Sequence, residues 1–96
     1  MKVELTKGEM YTVELYPKNE QISAEYVGLN KETHVFAGRD RYIFVNEHFI
    51  TSRGGNIISH IRLSPYDVLW LKKDGIEKIS REHPTIKLLK ELGENI

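Results

Sequence analysis

MYTVELYPKNEQISAEYVGLN, residues 10 to 30, decides the fold class. Tyr11, Val13 and Leu15 alternate with Thr12, Glu14 and Tyr16, the period-two pattern of a half-buried strand. Pro17-Lys-Asn-Glu20 supplies turn formers, and Ile22 to Leu29 reads as a second strand. Gly28 near its end predicts a bulge or sharp bend, which is how a strand curves to serve both sides of a small barrel.

The strand pattern continues outward from there. Thr33 to Ala37 and Arg41 to Val45 flank Gly38-Arg39-Asp40, predicting a hairpin with that triplet at its tip. Asn46-Glu47 reads as a turn. His48 to Thr51 and Asn56 to Leu63 read as strands on either side of Ser52-Arg-Gly-Gly-Asn56. A phosphate-binding loop needs a lysine after its glycines and a helix to follow; this stretch has neither, so a hairpin turn is the expectation. Tyr66 to Leu71 reads as a last strand covered on both faces.

After Trp70 the period changes. Asp74-Gly-Ile-Glu77 has the spacing of a capping box, with Ile76 and Ile79 at helical intervals behind it. Pro84 suits the first position of a new helix, Ile86 and Leu89 its buried stripe, and Gly93 its stop. Residues 1–96 are therefore expected to form one mainly β domain. It comprises a small five- to six-stranded barrel over 10–71 and a helical segment over 75–93 that packs on or caps one end.

Composition narrows the function classes. The absence of cysteine excludes disulfides, zinc knuckles, iron–sulfur clusters and thiol nucleophiles. Fourteen basic and fourteen acidic residues give zero net charge, hence no long-range pull toward nucleic acid or an anionic membrane. No apolar run approaches the ~20 residues of a membrane span, and MKVELTKGE lacks a signal-peptide core. The simplest reading is a cytoplasmic protein without a membrane partner. Abundant Glu and Lys lean toward a thermophilic source.

Chemistry-bearing motifs are sparse. His34, His48, His60 and His83 show no pair at i, i+2 or i, i+4. His48 and His60, facing each other across the expected hairpin, make the best metal pair, but a metal-free histidine is the commoner case. No metal and no cofactor are expected. No nucleophile elbow surrounds Ser52, Ser59 or Ser64, so an enzyme is not expected either. A site at a subunit interface around His48, His60 and Asp67 is the minor alternative. Tyr11, Phe44 and Trp70 read as core. His34-Val-Phe-Ala-Gly-Arg-Asp-Arg-Tyr42 interleaves rings with two arginines, the mixture that single-stranded nucleic acid binding uses and that an ordinary exposed hairpin also shows.

VELYPKNEQISAEYVGLN resembles the opening hairpin of Sm-like proteins, within the wider class of SH3-like small barrels. Ile61-Arg62, followed by a break and Tyr66-Asp-Val-Leu-Trp-Leu71, resembles that family's Ile-Arg-Gly element and final strand. The resemblance covers residues 10–71 and implies a ring-forming RNA-binding module with strands pairing between subunits. Leu63 stands where the family has glycine, and the helix follows the barrel instead of preceding it, so Arg62 alone is carried over as a nucleotide contact.

These readings lead to a non-enzymatic module that binds nucleic acid, RNA in particular, through an arginine and aromatic face. Arg39, Arg41, Arg53 and Arg62 would meet phosphates, and Tyr42 would stack on a base. The alternative is a protein–protein interaction or assembly module with no nucleic-acid role, which zero net charge favours. An exposed edge strand would make the chain a homo-oligomer.

Overall fold

The computed structural model describes residues 4–15, 20–53, 60–63 and 68–96. Six strands form one sheet: β1 (Met10–Leu15), β2 (Glu20–Asn30), β3 (Thr33–Ala37), β4 (Arg41–Asn46), β5 (His60–Leu63) and β6 (Val68–Lys72). Their order is β5-β1-β2-β3-β4-β6. β1, β2, β3, β4 and β6 pair antiparallel with one another in that order, and β5 lies parallel to β1. Three helical pieces accompany the sheet: α1 (Glu47–Arg53), a 3₁₀ helix (Lys73–Lys78) and α2 (Pro84–Glu91).

The first four strands form where alternation predicts them. Tyr11, Val13 and Leu15 of β1 bury on one face, and Met10 points away from it. β1 pairs with β2 from Leu15↔Glu20 to Met10↔Glu25, as the expected hairpin requires. Its tip, 16–19, lies outside the described residues. The predicted irregularity at Gly28 is present: Tyr26 pairs with Phe36 but Gly28 pairs with Val35, so Val27 is an extra residue in the ladder. Gly28 takes φ +146, which side-chain-bearing residues rarely adopt. The Gly38-Arg39-Asp40 tip closes with the Gly38 N–H donating to the Arg41 carbonyl at 2.8 Å.

The sheet is open. The expected barrel is corrected here: β5 and β6 occupy opposite edges, and nothing joins them among the described residues. A barrel collects its apolar side chains inside a single wall. This sheet has apolar side chains on both faces, each with its own cover. Tyr26, Phe36, Ile43 and Val45 share the first face with the β1 residues, and Ile50 of α1 seals it. Val27, Val35, Tyr42 and Phe44 share the second face, sealed by Leu89 of α2 with Leu88, Leu92 and Ile76.

The strand expected at His48–Thr51 is the helix α1. Asn46 caps it, its Oδ1 accepting from the His48 N–H at 2.8 Å, which turns the expected turn residue into a helix start. The helix carries the chain away from β4 and lets β5 join β1 on the far edge, Val13↔Ile61 and Leu15↔Leu63. The segments flanking the glycine loop therefore do not pair with each other, and the hairpin reading of 52–56 is overturned; residues 54–59 themselves lie outside the description.

The C-terminal part follows its signals in part. Pro84 opens α2, the His83 Nδ1 accepts from the Thr85 N–H at 3.1 Å, and Gly93 ends the helix at φ +93. Ile86 and Leu89 are buried. The capping box at Asp74 is not formed: Lys72 occupies the cap position of the 3₁₀ helix and makes no side-chain cap. Among the described residues, no helix is long and apolar enough to cross a membrane.

Candidate interaction surface on the β4–β6 edge

β6 is the outermost strand on its side of the sheet, paired only with β4 among the described residues. Val68, opposite Val45, is buried in the first core cluster. One residue later the pattern fails. Leu69 is 74% exposed and Trp70 is 39% exposed. Both were expected to be covered, and Trp70 was expected in the core. An edge strand has one neighbour instead of two, so its side chains lose half of their lateral cover.

Trp70 does not stand alone. Arg41 lies diagonally across from it on β4, on the same face, with its guanidinium carbon 4.9 Å from the ring centroid. Such a stack orients the ring and covers one side of it. The guanidinium is held by acids in turn. Its Nε donates to the Asp40 carboxylate at 3.1 Å, and Glu20 of β2 lies 3.6 Å away. The hydrogen bond from Arg41 holds the Asp40 carboxyl below its ordinary range, and Asp40 raises Arg41 in return. Arg41, Trp70 and Lys72 line a notch of about 260 Å³.

The five residues singled out from the sequence do not converge on one face. Arg39 sits exposed at the hairpin tip, and Arg41 is committed to Asp40, Glu20 and Trp70. Tyr42 is buried at 5% exposure, and its hydroxyl donates to the Glu94 carboxylate at 2.9 Å, so the expected stacking surface is a core ring. Burial and that carboxylate push the Tyr42 hydroxyl up to about 12. Arg53 ends α1, and Arg62 pairs in register with Glu14 on β5, four strand positions from β4. The side chains of Arg53, His60 and Arg62 lie outside the description. His48 is exposed on α1 and does not face β5 across a hairpin. No cluster of three metal-ligating side chains occurs among the described residues.

Sequence reasoning missed Leu69, Trp70, Glu20 and Lys72 as surface partners. The signal available was weak: Lys72 ends the last strand, and the last strand of an open sheet is a candidate edge. A groove of about 780 Å³ is lined by the 3₁₀ helix and the C-terminal segment, with Lys73, Ile76, Ile79, Arg81 and Ile86 among its lining residues. Inside the first face, the Tyr26 hydroxyl lies 2.7 Å from Nδ1 of the buried His34.

No protein-family model, curated protein or solved structure matches the chain at a significant level.

Proposed function

We propose that the chain is a non-enzymatic interaction module whose working surface is the outer edge of β6 with Leu69, Trp70 and the Arg41 stack. One observation carries the reading: two large apolar side chains are exposed on a strand whose outer backbone row is unpaired among the described residues. Paired strands and a covered apolar shelf are what a protein partner supplies. A Trp with Arg beside it has the composition of a protein hot spot. The Arg41 charge is already answered by Asp40 and Glu20, which lowers its value for a phosphate.

A second reading rests on the same notch. Trp70, Arg41 and Lys72 are a ring and two cations in one place, suited to a base and its phosphates in a single-stranded nucleic acid. Arg39 at the hairpin tip would extend that surface. Arg53 and Arg62 are not needed for it.

The chain has one tryptophan, so emission excited beyond the tyrosine absorption band reports this surface alone. Titration with single-stranded RNA and DNA oligomers at low salt separates the readings. The protein-partner reading predicts no saturable change in Trp70 emission. Binding that weakens linearly with log salt, at a slope of about −0.7 per phosphate met, would replace it with the second reading.

A further inference from the structure

We infer that the partner of the β6 edge is a second copy of the chain, joined antiparallel about a two-fold axis at Trp70. The inference rests on the reading of that edge as the working surface. It begins with the backbone. The Lys73 N–H donates to the Asp40 carbonyl at 2.9 Å. Arg41 pairs with Lys72 and Tyr42 with Leu71, so hydrogen bonding to β4 falls on Lys73, Leu71 and Leu69 in alternation. The backbone groups of Val68 and Trp70, and the N–H of Lys72, consequently face away from β4, along the edge that no other described strand pairs.

A two-fold at Trp70 satisfies these groups reciprocally. The Trp70 N–H of each copy donates to the Trp70 carbonyl of the other. The Lys72 N–H of each donates to the Val68 carbonyl of the other. An isologous contact needs a self-complementary surface, and Leu69-Trp70-Leu71 reads the same in both directions about that axis. On one face Trp70 meets Trp70. On the other, Leu69, the most exposed large apolar residue described, lies against the half-buried Leu71 of the second copy.

The charges permit this approach. Lys72 lies opposite Val68, so no like charges stand directly across the axis. The nearest guanidinium, Arg41, is compensated within its own copy by Asp40 and Glu20. The contact is a single short strand per copy, which belongs with small interfaces under about 1,200 Å² and therefore with concentration-dependent association. A pairing of the same edge with an unrelated strand would lack the symmetric register.

Sedimentation velocity of the intact chain from micromolar to millimolar concentration tests the proposal, with two variants beside it. Lys72→Pro removes an outward N–H while keeping the bonds to β4, and the native Lys72 φ of −69 already suits proline. Leu69→Lys alters a side chain that contributes little to its own core. Both should retain the wild-type far-ultraviolet circular dichroism. The expected result is a monomer–dimer equilibrium that each variant weakens at least about tenfold, some 1.4 kcal/mol. A wild-type chain that stays monomeric throughout overturns the second copy as partner, and leaves the edge itself to be judged by the Trp70 titration. Dimers that persist undiminished in folded Lys72→Pro overturn the proposal by placing the contact elsewhere.

Discussion

The Nδ1 atom of His34 lies 2.7 Å from the Tyr26 hydroxyl, while His34 Nε2 is buried with no hydrogen-bond partner among the described residues. Burial, with the Tyr11 hydroxyl and Glu47 nearby, pushes the Tyr26 hydroxyl up to about 12, so it keeps its proton beside Nδ1. Burial also lowers His34 below the ordinary 6.5, and the negative charge of Glu47 offsets part of that fall. The neutral imidazole is thus the native form.

The sign of the pH dependence follows. Unfolded chain takes up a proton near pH 6.5 and folded chain only at lower pH. The stability that His34 contributes is complete above 6.5 and declines as pH falls through 6.5 to the lowered folded value. Urea denaturation on either side of 6.5 should show this decline, and His34→Leu should flatten it. An equal decline in His34→Leu would assign the effect to other groups.

Gly28 follows the bulged Val27, which packs in the second face. A Cβ on Gly28 would lie 3.1 Å from Leu92 Cδ2, at a φ of +146 that penalises any side chain. Gly28→Ala should cost roughly 1–3 kcal/mol in chemical denaturation. Adding Leu92→Ala should recover only the steric part, so the double variant should fall short of the summed losses.

Leu89 is fully buried between α2 and the second face. Leu89→Ala should cost about 2–5 kcal/mol. Leu88→Ala, at a half-buried neighbour, should cost less. Thermal or urea unfolding of the pair checks the order.

Tyr42 and Tyr26 are both pushed up to about 12, from an ordinary 10.0, by burial as the leading cause. An alkaline absorbance titration of the five tyrosines should show a late-ionising class. Tyr42→Phe should remove one member of that class and break the hydrogen bond to Glu94.

The strands β1 to β4 were legible because their alternation is local: one apolar face per strand, with Gly28 and Gly38 marking the bends. α2 was legible from Pro84, Ile86, Leu89 and Gly93. The α1 error has a specific cause. His48-Phe-Ile-Thr51 is rich in strand-favouring residues, and its helix depends on Asn46 as a cap and on Ile50 finding an apolar face supplied by distant strands. The parallel β1–β5 pair, and with it the open sheet, follows from that helix and has no local signature. At the site, Arg41 was legible as a surface residue. Tyr42 was not legible as core, because its burial comes from α2 and Glu94, far along the chain. Trp70 was misread for the converse reason: aromatic residues usually bury, and only sheet order places this one at an edge.

The β6 edge at Trp70 is the proposed contact surface. The chain has no cysteine, so Leu69→Cys supplies a single thiol beside the proposed axis with Trp70 kept in place, and Lys87→Cys a control on the exposed side of α2. About that axis the two copies of position 69 are diagonal cross-strand neighbours, roughly 7–8 Å apart, within reach of a short thiol-specific cross-linker. Rapid, concentration-dependent cross-linked dimers are expected for Leu69→Cys and none above background for Lys87→Cys. Equal cross-linking of the two folded variants, or none at position 69, would overturn the second copy as the partner of this edge.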